Sequence, residues 1–157
     1  MSRAFVKEAD ADLPEMLPAK PLSPHPNRVT VRGLQQLRLQ LEAVHRQFEH
    51  VRDSMHKAEL TRERVWLEAR LTSAVLMPPP ADRLRVGFGA RVTLLDDGGR
   101  RYRYQIVGED EAVPEQGLIS WVSPLASALE GAAVGDVVPW PRPAGDLDVE
   151  VCDILYE

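Results

Sequence analysis

The chain has 157 residues, a hydrophobic fraction of 44% and a formal net charge of −5. This length is enough for one or two small domains with a modest core. The single cysteine, Cys152, excludes a disulfide framework and a zinc site built from cysteines. Its place in an alternating hydrophobic pattern favours a buried structural thiol over a nucleophile. No apolar run approaches the roughly 20 residues that a membrane span needs.

Acidic side chains are concentrated in the second half of the chain. Residues 1–80 carry 12 basic and 10 acidic side chains, whereas residues 81–157 carry 7 and 14. Binding to duplex DNA depends on clustered lysine and arginine, so this half favours a protein partner with a basic surface over direct contact with DNA. The first residues lack the apolar stretch of a secretory signal, which predicts a cytoplasmic protein.

Residues 1–27 are predicted to form an extended arm. Prolines prevent a regular helix there and occupy five positions: Pro14, Pro18, Pro21, Pro24 and Pro26. Two interpretations remain open. The arm is either a mobile, solvated tail, or a strap that packs on the protein itself or on a partner through Phe5, Val6 and Leu22.

Residues 28–77 predict an antiparallel helical hairpin. After the potential helix cap Thr30, apolar side chains recur at alternating intervals of three and four: Leu34, Leu37, Leu41, Val44, Phe48, Val51 and Met55. A second series follows at Leu60, Leu67, Leu71 and Ala74. Antiparallel pairing of the two series sets Leu37 against Leu71 and places the turn near residue 54, within residues 52–57. One continuous, self-associating helix is the alternative, because neither glycine nor proline marks the turn.

Beyond a proline linker at residues 78–83, the periodicity changes to two and predicts a β domain over residues 84–157. Strands are predicted at 85–88, 91–95, 102–107, 118–122, 136–141 and 147–155. The Asp97-Gly98-Gly99 sequence is typical of a hairpin turn. Ser123 and Pro124 are typical of the start of a short helix. The residues therefore predict an α+β protein with an antiparallel sheet.

Four motifs in the β domain carry a resemblance to a known family. In chain order they read IVGEDEA at residues 106–112, QGLIS at 116–120, SPLASAL at 123–129 and GDVV at 135–138. Their order and spacing resemble the C-terminal domain of the bacterial Gre transcription elongation factors, GreA and GreB. The string VTVRGLQQL at residues 29–37 resembles the opening of that family's N-terminal coiled coil. The resemblance implies a GreB-like member with a shortened coiled coil and an FKBP-like C-terminal domain.

The resemblance also implies a partner, RNA polymerase. In Gre factors, the short helix and the loop before it contact the rim of the polymerase's secondary channel. The matching residues, predicted to bind the partner, are Trp121, Val122, Ser123, Pro124 and Leu125. Contact with nucleic acid is then indirect, within the elongation complex.

The hairpin tip bears on whether the protein promotes RNA cleavage. In Gre factors, an acidic tip motif helps hold a second Mg²⁺, with which the polymerase cleaves backtracked RNA. That motif is absent here, and the predicted turn offers only Asp53, with Glu49 and Glu59 about one turn to either side, for a Mg²⁺ shared with the polymerase. Nearby cationic side chains oppose such binding: Arg52, His56 and Lys57. A first helix of about 21 residues is also only on the order of 30 Å long.

These features predict an elongation regulator that binds RNA polymerase without strong stimulation of cleavage. It has no catalytic residues and no cofactor of its own. Two alternatives remain open: a Gre factor with full cleavage stimulation, and a Gre-like interaction module with a different partner. The acidic triplet Glu109-Asp110-Glu111 is interpreted as a solvated turn after a strand.

Overall fold

The computed structural model describes residues 17–157, and its first half is a helical hairpin. Helix α1 spans Val31–His50 and helix α2 spans Ser54–Ser73. The Thr30 hydroxyl oxygen accepts a hydrogen bond from the Gly33 N–H at 3.0 Å and caps α1. Residues 51–53 are not helical. The hairpin is therefore confirmed, the continuous helix is wrong, and the turn begins one residue before the predicted range.

Apolar side chains between α1 and α2 form the core of the hairpin. The buried members are Val29, Leu37, Val44, Leu60 and Leu67. Leu37 and Leu67 are 2% and 0% exposed, as the two series of apolar residues predict. Phe48 is 37% exposed and lies outside this cluster, so its predicted place in the seam is wrong. It instead lines a groove between α2 and the start of the described chain.

Two short strands, which the periodicity did not predict, close the base of the hairpin. Strand β1 (Arg28–Val29) precedes α1, and strand β2 (Val75–Leu76) follows α2. They pair in parallel, and the Val75 N–H donates to the Asn27 carbonyl at 2.8 Å. This pairing ties the beginning of α1 to the end of α2.

The second half is a five-stranded sheet covered by one short helix. Its elements are β3 (Arg91–Asp96), β4 (Arg101–Val107), β5 (Leu118–Ser120), α3 (Pro124–Leu129), β6 (Val137–Trp140) and β7 (Leu147–Leu155). The strand order is β5-β4-β3-β7-β6. Strands β4 and β5 run parallel, so the prediction of a wholly antiparallel sheet is wrong at this pair. Two 3-10 turns, Glu109–Glu111 and Pro114–Gln116, return the chain so that Leu118 pairs beside Gln105.

The core of this half lies between the sheet and α3, and the α+β prediction is confirmed. Its fully buried side chains include Leu94, Ile106, Leu129, Val149 and Val151. The predicted strand at residues 85–88 is wrong. Only Arg85 forms an isolated bridge, and the chain turns away at Gly89, whose φ is +86°. Cys152 lies in β7 but is half-buried rather than buried.

Residues 17–27 have no helix or strand and lie against both halves of the protein. The Lys20 ammonium nitrogen lies 3.0 Å from a Glu63 carboxylate oxygen on α2, and the Ser23 hydroxyl donates to Glu109 beyond β4 at 2.9 Å. Leu22 is 55% exposed, while Phe5 and Val6 lie outside the described residues. Over residues 17–157, no helix has the length and apolar character to cross a membrane.

Candidate functional site

The loop between β5 and α3 holds the five residues predicted to bind a partner. The Ser123 hydroxyl oxygen accepts from the Ala126 N–H at 3.3 Å and caps α3. Pro124 follows in the first turn of α3. Backbone N–H groups there have no acceptor within the helix, so the N–H that proline lacks costs no helical hydrogen bond. The cap leaves Pro124 exposed, turns Leu125 into the core at 4% exposure, and leaves Val122 half-buried. Pro124 is thus the most accessible of the five, and their role in binding stays a prediction.

The indole of Trp121 is half-buried beneath the chain that precedes α1. The Arg28 guanidinium carbon lies 4.3 Å from the ring centroid, and the His25 ring meets the indole edge-on at 6.1 Å. The indole N–H is buried and has no acceptor among residues 17–157. A buried donor without an acceptor costs about 1–3 kcal/mol. Trp121 is therefore a packed side chain with an unsatisfied donor rather than a freely exposed anchor.

At the hairpin tip, Asp53 has a structural role. Its carboxylate accepts a hydrogen bond from the His56 N–H at 2.8 Å and caps α2. The amino end of a helix carries a partial positive charge, which stabilises this carboxylate and disfavours a cation beside it. Glu49 and Glu59 are exposed on α1 and α2.

Asp53, Glu49 and Glu59 do not form a magnesium site by themselves. Within residues 17–157, no three histidine, cysteine or carboxylate side chains are grouped so that they could hold a metal ion. Arg52 and Lys57 are exposed in and next to the same turn, and their charges oppose a bound cation. The donor set therefore does not fit a metal held by this chain alone, and a Mg²⁺ shared with a partner stays a prediction.

The main cluster of charged side chains lies where the hairpin meets the β domain, at a contact that we call the junction. Arg70, in the last turn of α2, is 3% exposed. Its Nε donates to Asp110 at 2.6 Å, its Nη2 donates to Asn27 Oδ1 at 2.7 Å, and Glu109 lies at 4.0 Å. The Asn27 amide in turn donates to the Arg70 carbonyl at 2.7 Å. These bonds satisfy a buried guanidinium, which water would otherwise have to solvate.

Glu111 completes the junction on the side of α1. It is 5% exposed and accepts a hydrogen bond from the Thr30 hydroxyl, the group that caps α1. Two glycines permit the approach. A β-carbon on Gly33 would lie 2.7 Å from a Glu111 carboxylate oxygen, and one on Gly108 would lie 2.4 Å from the Arg28 carbonyl oxygen.

The interpretation of Glu109, Asp110 and Glu111 as a solvated turn is therefore wrong. The Glu111 side chain is 3% exposed, and those of Glu109 and Asp110 are 21% and 20% exposed. Asp110 and Glu111 accept hydrogen bonds from groups at the base of the hairpin, and Glu109 lies 4.0 Å from Arg70. The acidic triplet thus fixes the hairpin to the β domain.

Comparison with known proteins identifies relatives of this chain. "Transcription elongation factor GreA" of a Nitratiruptor species is 34% identical over 128 residues, which cover 74% of this chain and 78% of the relative. The chain belongs to the GreA/GreB family. The family model described as "Transcription elongation factor, GreA/GreB, C-term" matches residues 81–156.

Other relatives match a smaller part of this Gre-family protein. "Transcription elongation factor GreA" of Alkalilimnicola ehrlichii is 43% identical over 93 residues, which span 57% of this chain and 59% of the relative. "Transcription elongation factor GreB" of Neisseria meningitidis serogroup B is 40% identical over 100 residues, which span 62% of this chain and 61% of the relative. The chain therefore spans about three fifths of the length of these two relatives.

Solved structures with a similar chain include two from this family. The GreA factor homolog 1 (Gfh1) of Thermus thermophilus is 25% identical, covers 83% of this chain and 99% of its own, and has a TM-score of 0.43. A GreA/GreB factor from Nitrosomonas europaea is 22% identical, covers 84% of this chain and 99% of its own, and has a TM-score of 0.44. The family assignment rests on the sequence matches.

Sequence reasoning missed the junction contacts of this Gre-family protein: it did not single out Asn27 or Arg70, and it predicted Thr30 only as the cap of α1. One signal was available. Three consecutive acids directly after a buried strand require cations or N–H donors if they are not solvated. Arg70 lies in the final turn of α2, close in space to the end of that strand once the hairpin is closed. Charge complementarity between the acidic triplet and Arg70 would therefore have indicated this contact.

Proposed function

We propose that this protein binds RNA polymerase at the secondary channel and regulates elongation without strong stimulation of RNA cleavage. The observation that carries the proposal is the 34% identity to a GreA factor over 78% of that factor's length. The protein is then a regulator and not an enzyme, because any cleavage is performed by the polymerase. Its place of action is the cytoplasm, where bacterial transcription occurs.

The geometry supports a role as a rigid probe. A helix rises 1.5 Å per residue, so the 20 residues of α1 extend about 30 Å from the junction. At the junction, which holds the base of this hairpin, Arg70 donates to Asp110 and Asn27 and Glu111 accepts from the Thr30 hydroxyl. The loop at Pro124 supplies a second contact on the β domain.

Weak stimulation of cleavage follows from the tip. Asp53 already caps α2, and Arg52 and Lys57 surround it. A carboxylate in this position has one oxygen engaged and adjacent positive charge, so its affinity for a cation is reduced. The shortened hairpin also limits how far the tip reaches.

Binding is tested with purified core RNA polymerase and the labelled full-length protein. Replacing Pro124 by Glu places a charge on the exposed corner of the loop, and we expect binding to weaken by about 1–3 kcal/mol if this corner is buried in the complex. Pro143→Glu is the matched control, because Pro143 is also exposed but lies in the β6–β7 connection. Equal affinities for both variants would place the interface elsewhere, and no binding by the wild type would refute the proposal.

Cleavage is tested on backtracked elongation complexes. We expect the wild-type protein to leave the cleavage rate near the intrinsic rate of the polymerase and to compete with a longer Gre factor for the complex. Strong Mg²⁺-dependent stimulation that is lost in Asp53→Asn would instead establish a full cleavage factor. Competition without stimulation separates a polymerase regulator from a module with another partner.

A further inference from the structure

Residues 20–25, which we call the strap, connect α2 to the predicted partner loop. At one end, the Lys20 ammonium lies 3.9 Å from the centroid of the Trp66 ring and 3.0 Å from Glu63. The Trp66 indole N–H donates to the Pro21 carbonyl at 3.2 Å. These contacts hold the start of the strap on α2.

At its other end, the strap lies on the β domain. The Ser23 hydroxyl donates to Glu109 at 2.9 Å, and the His25 ring lies edge-on to the Trp121 indole at 6.1 Å. Arg28, three residues after His25, covers a face of the same indole at 4.3 Å. The strap therefore leads directly onto one of the five residues predicted to bind the partner.

We propose that the strap and RNA polymerase compete for Trp121, so that the strap regulates access to the partner loop. This inference rests on the proposed function. Among residues 17–157 the buried indole N–H has no acceptor, and a partner that displaces the strap can supply one. The strap's contacts are weak enough for a partner to replace them. Lys20 and Glu63 form a half-exposed ion pair, and His25 is itself exposed.

The strap contacts the β domain through two side chains, Ser23 and His25, that lie outside both helices of the hairpin and outside the partner loop. In the release variant, Ser23→Asp with His25→Ala, a carboxylate faces Glu109, and the His25 ring that packs on Trp121 is removed. In the matched variant, Ser23→Asn with His25→Phe, the Asn amide supplies a hydrogen-bond donor for Glu109 and an aromatic ring remains beside Trp121. Asn has nearly the same size as the Asp of the release variant. The two variants differ in the interactions that hold the strap, and neither alters Trp121.

The first measurement needs no polymerase. The full-length protein is labelled with 5-fluorotryptophan, and the ¹⁹F signal of Trp121 is assigned with Trp121→Phe. We expect the release variant to shift this signal and to increase its solvent isotope shift, while the Trp140 signal and the matched variant remain as in the wild type. An unchanged Trp121 signal in the release variant would refute the inference that the strap covers Trp121.

The second measurement is the affinity for core RNA polymerase. A site that is open in only a fraction of molecules binds more weakly by that fraction, so release of a strap closed in about nine of ten molecules strengthens binding about tenfold. We expect this gain in the release variant and not in the matched variant. An exposed Trp121 with no gain in affinity would overturn the competition. Absence of polymerase binding by the wild type and both variants would overturn the proposed function instead, with the ¹⁹F result still deciding whether the strap covers Trp121.

Discussion

Replacing Arg70 by Met tests whether the junction holds the two halves of the protein together. The substitution keeps much of the apolar stem and removes the guanidinium that binds Asp110 at 2.6 Å and Asn27 at 2.7 Å. It also leaves Glu109 without its nearest cation, which lies at 4.0 Å. Removing one partner from a fully buried ion pair costs about 3–5 kcal/mol.

The cost at this site is smaller than that limit, because water can reach the remaining acids. The Glu109 and Asp110 side chains are 21% and 20% exposed, whereas the Arg70 side chain is 4% exposed. We therefore expect a loss of about 2–3 kcal/mol in the free energy of unfolding. Asp110→Asn in a double-mutant cycle isolates the pair, and a coupling of about 1.5–3 kcal/mol is expected for a hydrogen bond between charged groups.

Urea denaturation of the full-length variants measures both quantities. Arg64→Met is the control, because Arg64 is on the same helix but has weaker contacts: a half-exposed pair with Glu68 at 3.9 Å and the Phe48 ring at 5.8 Å. We expect this control to stay within about 1 kcal/mol of the wild type. If Arg70→Met were as stable as the control, or if the coupling with Asp110 were near zero, the junction would not be fixed by this pair.

Two further changes test the close approach and the acid sensitivity of the fold. Gly108→Ala places a β-carbon 2.4 Å from the Arg28 carbonyl oxygen. It should lower the free energy of unfolding by about 1–3 kcal/mol and speed hydrogen exchange in β1, whereas Gly87→Ala should be nearly neutral; equal stabilities would contradict this contact. Backbone hydrogen bonding, chiefly from Arg100, lowers the pKa of Asp96. Its stabilisation is therefore present above the unfolded-state pKa and is lost as the pH falls through the lower folded-state pKa, so Asp96→Asn should flatten the acid limb of stability against pH. If the loss of stability at low pH were the same in Asp96→Asn and the wild type, Asp96 would not be the source of that loss.

The sequence predicted those parts of the fold that depend on periodicity. Regular spacing placed Leu37 and Leu67 in the hairpin core, and alternation placed β7 with its observed bounds, Leu147–Leu155. It failed where long-range contacts decide the structure. The two-residue strands at the hairpin base are too short for a periodic signal, and Arg70 is buried only because distant acids satisfy its charge. The same limit applies to Trp121, whose cover comes from His25 and Arg28.

The sequence at residues 106–112, one of the four motifs that resemble the family, has a physical explanation in the junction. Gly108 admits the backbone of β1, the next two acids bind Arg70, and Glu111 binds the cap of α1. None of these groups is at the tip, yet they govern where the tip lies. With α1 about 30 Å long, a rotation of about 10° at the junction moves the tip by about 5 Å. In the function proposed above, the hairpin acts at a channel of the polymerase, and its action then depends on the stiffness of its base as much as on the residues at its tip. Weakening the junction should consequently impair competition for the polymerase even when the tip and the partner loop are unchanged.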